Sequence, residues 1–243
     1  MNDHNSKNNS IPSNHLFRNI PSNEFERLAP KLEVVELELG SRVYDLGATI
    51  EHVYFPNSGI ISLLAAVEAS STLEVGIIGR EGMAGLSLFM GVKRSYVRAI
   101  VQGEGTAMRM NASDFETACG NGGALTAVLR RFTHSLLVQV SQSAVCFRFH
   151  VIEMRLARWL LMTSDRSESN EFQMTQEFLS HMLGVRREAV NRAALSLQKR
   201  NLIAYSRSNI LIIDRPGLEA ASCSCYALIR DEEFDGSVRI AVS

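Results

Sequence analysis

Arg187, Glu188, Asn191 and Arg192 fall within one six-residue span near the carboxyl end of the chain. A guanidinium donates through a rigid fork of N–H groups, a carboxylate accepts, and a carboxamide does both. Those are the functions needed to read base-pair edges in a major groove. At about 100° per residue, Glu188, Arg192 and Lys199 lie opposite an apolar stripe of Val190, Ala193, Ala194 and Leu197. Arg187 stands to one side, but at the helix tip, where a long side chain still reaches a base edge. The predicted helix is small and apolar on one side and an array of donors and acceptors on the other, a shape suited to a groove. A solvated surface helix can carry the same charges, so the flanking elements decide between the two.

Those elements are a helix, a tight turn and a hairpin. Thr175 suits an N-cap, its oxygen accepting from a free backbone N–H, and Glu177 follows in the positive first turn. Phe178, Leu179, Met182 and Leu183 recur at helical spacing, and Gly184 ends the run where a left-handed residue is needed. Arg186 opens the basic helix. Beyond it, residues 202–205 and 210–213 form a hairpin around a polar tip, Ser206-Arg207-Ser208-Asn209, with Arg207 placed to touch phosphate. Charge is distributed accordingly. The whole chain has a formal net charge of −1, which argues against a general polyanion binder. Residues 174–209, however, hold six basic and two acidic side chains, whereas 210–243 hold six acidic and three basic. A local basic footprint on a near-neutral chain fits a site-specific binder.

The run from Thr175 to Ile213 resembles the DNA-binding domain of the cyclic-AMP receptor protein/Fnr (Crp/Fnr) family of bacterial transcription regulators. Arg187-Glu188-Ala189-Val190-Asn191-Arg192 matches that family's R-E-x-x-x-R recognition-helix pattern, and the flanking turn Gly184-Val185, Asn201-Leu202-Ile203 and the hairpin extend the likeness. The resemblance implies a winged helix-turn-helix in which Arg187 and Arg192 donate to guanine-type acceptors and Glu188 accepts from a cytosine amino group. Thr175, Arg186 and Arg207 become phosphate or positioning contacts. It also implies double-stranded DNA as ligand, a homodimer, and RNA polymerase as a further partner.

The remainder of the 243 residues, 46% of them hydrophobic, is enough for a second domain. Residues 1–14 read as a disordered polar tail. A short helix is expected at 22–29 with Ser22 as its cap, then strands at 35–39, 53–55, 59–66, 72–78, 96–101 and 106–110. Short strands at this spacing predict a closed antiparallel barrel or jelly roll over 15–120. The likeness extends here, more loosely, to the cyclic-nucleotide-binding-type barrel that precedes the helix-turn-helix in the family. The expected fold class is therefore α+β: an amino-terminal β jelly roll, a long dimerisation helix over 121–149, and a winged helix-turn-helix over 150–221. Residues 222–243 follow as a tail. In the linking helix Leu125, Leu129, Phe132, Leu136, Val140, Ser143 and Phe147 form a seam, shared between the helix's own barrel and a second subunit. A second helix is expected at 150–163, with a hinge near 147–151, and 165–170 reads as a polar loop.

In cyclic-nucleotide-binding relatives a Gly-Glu-Leu segment supplies a carboxylate to the ribose, and an arginine followed by serine or threonine holds the phosphate. Aligning Gly85-Leu86 puts Met83 at the carboxylate position, with Glu81 acidic but out of register. Arg94-Ser95 resembles the phosphate pair, although aligning on Tyr96 to Ala99 places Lys93 there instead. Glu81, Met83, Lys93, Arg94 and Ser95 are thus the candidates for an effector pocket, residues 79–85 read first as a turn and cap rather than a ligand segment, and cyclic AMP is not expected. No cysteine precedes Cys119, so the amino-terminal cluster of iron–sulfur relatives is missing and no iron–sulfur cofactor is expected. Cys146 and His150, four apart, read as core packing; Cys223 and Cys225 are too close for a tetrahedral zinc site by themselves, so no metal is expected. No Ser-His-Asp or paired-carboxylate pattern points to an enzyme. With no signal-peptide core and no apolar run approaching a membrane span, a cytoplasmic location is expected, with no membrane partner. The alternative from a different class is a protein-interaction module, its barrel binding an effector and its basic helix docking an acidic partner, with no operator.

Overall fold

A computed structural model describes residues 13–68, 71–120, 122–167, 169–206 and 208–235. The amino-terminal half is built from two antiparallel sheets. One sheet orders β1 (Leu32–Leu37), β7 (Gly105–Asn111) and β3 (His52–Pro56) side by side. The other orders β2 (Arg42–Tyr44), β6 (Arg98–Gly103), β4 (Ile60–Glu68) and β5 (Ser71–Ile78). Alternation puts Val53 and Phe55 of β3, and Ala99 and Val101 of β6, fully inside. The sheets close over these residues with Ile61, Ile78, Met110 and Phe115, as the predicted jelly roll requires. Three-residue β2 was not expected, being shorter than any window in which alternation can be read. The short helix α3 (Leu86–Phe89) and the helix α4 (Ala112–Gly120) were not foreseen either, and α4 caps the barrel with Phe115.

Two expectations at the barrel's edges need correction. The polar tail was placed over 1–14; residues 1–12 lie outside the described residues, but Asn14 is buried. Its side chain caps α1 (His15–Arg18) and donates to the carbonyls of Pro56 and Gly82, at 2.8 and 2.9 Å. Burying an amide is tolerable only when its hydrogen bonds are met, as they are here. A short helix, α2 (Ser22–Leu28), follows as expected, although its N-cap is Pro21 rather than Ser22.

The long helix α5 (Ala124–Phe149) runs along the barrel. Of the expected seam, Leu125, Leu129, Phe132 and Ser143 are buried within the same chain. Phe132 packs where Gly82 leaves room: a Cβ on that glycine would lie 2.1 Å from the ring. Gln139 fixes the helix to β5, accepting from the Ile77 amide and donating to the Ile77 carbonyl. The apolar surface left outward joins Val140 of that seam to its neighbours Leu137, 61% exposed, and Val145. Helix spacing revealed the apolar positions but not which half the barrel takes.

Helix α6 (Ile152–Ser167) is longer than expected, and its last turn replaces the start of the predicted polar loop. Asp165 and Arg166 belong to that turn because both have partners: Asp165 pairs with Arg215, and Arg166, buried, lies between Glu81 and Glu233. The carboxyl-terminal unit then adds β8 (Glu171–Gln173), α7 (Gln176–Leu183), α8 (Arg187–Lys199), β9 (Ile203–Ser206) and β10 (Asn209–Ile212), and finally α9 (Arg215–Ala221) and α10 (Ser224–Asp235). The strands pair in the order β8-β10-β9. A tail was expected over 222–243, yet α10 packs on α5 and α6 and buries Cys223, Cys225, Tyr226 and Ile229. One core joins the two halves, running from Ile60, Leu64 and Ile77 of the barrel through Leu156, Trp159 and Leu160 of α6 to Leu179, Val190 and Leu197. No described helix is long and apolar enough to cross a membrane.

Candidate nucleic-acid interface

The site is assembled by two helices and a turn. Thr175 caps α7, its Oγ1 accepting from the Phe178 amide at 3.0 Å, an interaction worth about 1 kcal/mol. Gly184 ends that helix in the left-handed region, at φ 59° and ψ 43°, and its amide bonds back to carbonyls of the last turn. A side chain there would be strained by backbone conformation and would press on Leu73 of the barrel. Val185 then leads into α8, which Arg186 precedes with an extended backbone. Val190, Ala193, Ala194 and Leu197 are buried, and the two alanines allow α8 to approach α6 and α7 closely.

The other face of α8 is open. Arg186, Arg187, Glu188, Asn191, Arg192 and Lys199 are all exposed. The side chains of Arg186, Glu188 and Arg192 make no hydrogen bond or ion pair among the described residues. Gln176, absent from the sequence-derived set, organises its neighbours: its Oε1 accepts from Arg187 Nε at 3.2 Å, and its Nε2 donates to Asn191 Oδ1 at 3.1 Å. Nothing local to Gln176 signals this role, because the approach arises from how α7 crosses α8. A groove of about 460 Å³ lies between these residues and the hairpin, bordered by Thr175, Gln198, Tyr205 and Ser208. Tyr205 braces the hairpin by donating to the Met174 carbonyl. Arg207, expected at the hairpin tip, lies outside the described residues.

The five candidate effector residues have separate engagements. Glu81 accepts from the Gly79 amide and from Arg166, Met83 is fully buried in the barrel core, and Lys93 pairs with Glu116 at 3.4 Å. Arg94 donates to the Gly47 carbonyl at 2.8 Å, and buried Ser95 donates to the Val97 carbonyl at 2.7 Å. A cavity of about 620 Å³ does open beside Glu81, bordered by His15, Arg131, Phe132, Glu232 and Glu233. Elsewhere the chain gathers residues that the sequence left apart. Cys146, His150, Cys223 and Cys225 bring their four potential ligand atoms within 4.8 Å of one another, so these residues could hold a metal ion.

A family model described as the Crp-like helix-turn-helix domain matches residues 154–221, which span α6 to α9. In structure the chain is similar to a transcriptional regulator of the crp/fnr family from Eubacterium rectale, with 16% identity, a TM-score of 0.65, and coverage of 85% of this chain and 96% of that one. It is similar to CLP of Xanthomonas campestris, a c-di-GMP responsive global regulator, at 16% identity and a TM-score of 0.66, covering 79% and 99%. FixK2 from Bradyrhizobium japonicum gives 16% identity, a TM-score of 0.67, and coverage of 79% and 98%. These likenesses establish a common fold over nearly the whole of each neighbour. No curated protein matches the chain by sequence.

Proposed function

We propose that this chain, a DNA-binding transcription regulator of the Crp/Fnr type by its helix-turn-helix domain and its fold, reads a pseudo-palindromic operator as a homodimer through α8. One observation carries the reading: Arg187, Glu188, Asn191 and Arg192 are exposed on a helix whose opposite face is sealed in the core. Major-groove chemistry assigns the roles. Arg187 and Arg192 donate to guanine N7 and O6, Glu188 accepts from a cytosine amino group, and Asn191, held by Gln176, serves an adjacent base or phosphate. Thr175 and Arg186, at the amino ends of α7 and α8, suit phosphate, as does Arg207 by its place in the sequence. The apolar stripe of Leu137, Val140 and Val145 on α5 supports pairing of two copies. A two-fold pair then presents two α8 helices to successive major grooves on one side of a duplex.

The barrel does not take cyclic AMP by the family's contacts in this reading. A ribose needs a free carboxylate, but Met83 is sealed in the core and Glu81 is held by Arg166. The test is selection of bound duplexes from a random pool, with and without cyclic AMP. The expected outcome is an enriched two-fold motif with half-sites roughly 34 Å apart, the same in both arms. Retention of random duplex without enrichment would refute the reading, and a motif that emerges only with cyclic AMP would refute the statement about the barrel.

A further inference from the structure

Cys146 and His150 lie at the end of α5, His150 being the residue at which the helix stops and the backbone turns extended, at φ −112° and ψ 141°. Cys223 and Cys225 flank Ser224, the first residue of α10. The domain between them brings the two pairs together. Cys146 Sγ is 3.5 Å from Cys223 Sγ, and Cys225 Sγ is 3.6 Å from His150 Nδ1. Around a zinc ion with bonds of about 2.3 Å to sulfur and about 2.0–2.1 Å to nitrogen, tetrahedral angles give edges of about 3.8 Å between sulfurs and about 3.6 Å between sulfur and nitrogen. The observed separations are of that size.

The surroundings fit an ion better than plain packing. The three buried cysteines form a cluster of their own, apart from both large cores, with Met154 packed beside it. Arg158 of α6 is buried and acts electrostatically on Cys146 and Cys223, and its Nε has no hydrogen-bond partner. Three thiolates and a neutral imidazole around a divalent ion leave one net negative charge, which a buried guanidinium offsets. A disulfide between Cys146 and Cys223 would leave the convergence of Cys225 and His150 without a purpose. An iron–sulfur cluster attaches its ligands to different irons and needs a wider spread than four atoms within 4.8 Å.

We infer that Cys146, His150, Cys223 and Cys225 form a closed, four-ligand structural zinc site that fastens the end of α5 to the start of α10. The ion closes a loop containing the entire helix-turn-helix domain, residues 154–221, and does so at the bend between α5 and α6. Thiolate and imidazole donors favour zinc over magnesium or calcium, and four protein ligands leave no position for a substrate.

The test uses the full chain, purified under reducing conditions without chelator, with elemental analysis of its metal content. One zinc per chain is expected. After removal of the metal, titration with Co²⁺ should produce the visible absorption of a tetrahedral cobalt–thiolate centre, which added zinc abolishes. Cys225→Ser and His150→Ala should lose both signals, whereas Cys119→Ser, outside the cluster, should keep them. Wild-type protein with far less than one metal per chain and no cobalt absorption would overturn the inference. So would stoichiometric iron or copper in place of zinc, or a cobalt spectrum unchanged in both ligand variants. The wild-type measurements decide the matter even if a variant fails to fold.

Discussion

Glu74 is the side chain whose charge state the fold alters most informatively. Burial pushes its carboxyl up to about 7, against the lowering pull of hydrogen bonds from Ser62 and Trp159 and of the Arg158 and Arg166 charges. Hydrogen-bond logic agrees. Ser62 Oγ lies 2.7 Å from Glu74 Oε2 and 2.5 Å from Gln102 Oε1, yet a hydroxyl has one proton to give. If Gln102 receives it, Glu74 must itself be the donor and therefore neutral. Below the ordinary carboxylate value of 4.5, Glu74 is protonated whether the chain is folded or unfolded. Between 4.5 and about 7 only the folded chain retains the proton, so stability falls as pH rises through that window and levels off above it. Glu74→Gln has no such proton, and its denaturant stability should decline less than that of wild type from about pH 4.5 to about pH 7. Parallel pH profiles would contradict a neutral Glu74. None of this could be read from the sequence, because Trp159 is 85 residues away. By contrast, the outward placement of Glu188 and Arg192 follows from helix geometry alone, and for that reason it was legible.

The helices divide along the same line. Thr175, Gly184 and the Val190–Leu197 stripe announce their helices because caps, stops and amphipathic faces are encoded within a few residues. Helix α10 gave no such notice: its buried positions Cys225, Tyr226 and Ile229 run straight into Arg230, Asp231 and Glu232, and Glu232 is itself buried. Its docking depends on partners in α5 and α6 that only the fold supplies. For α5 the apolar positions were visible, but the barrel claims Leu125, Leu129 and Phe132 and leaves Leu137, Val140 and Val145 outside. That division makes the pairing surface testable. Leu137→Glu places a charge in the centre of the exposed stripe without touching the core, and sedimentation should find it monomeric at concentrations where wild type is dimeric. A variant that remains dimeric would move the interface elsewhere.

Taken whole, the molecule is a barrel and a DNA-binding domain locked together by polar bonds as well as by their common core. Glu74 accepts from Trp159, Gln102 donates to Thr163, and Arg166 ties Glu81 of the barrel to Glu233 of α10. Buried charged groups of this kind fix a geometry more than they add net stability, because desolvation cancels much of their attraction. The orientation of α8 relative to α5, and hence the spacing of two α8 helices in a dimer, is therefore set by the barrel. The most direct test of the central claim is competition between a selected operator and random duplex, measured for wild type and Arg187→Ala at one salt concentration. If α8 reads bases, Arg187→Ala should lose about 1–3 kcal/mol on the operator, relax the preference at one base pair of each half-site, and change little on random duplex. Equal weakening on both duplexes would contradict base reading and reduce Arg187 to a phosphate contact.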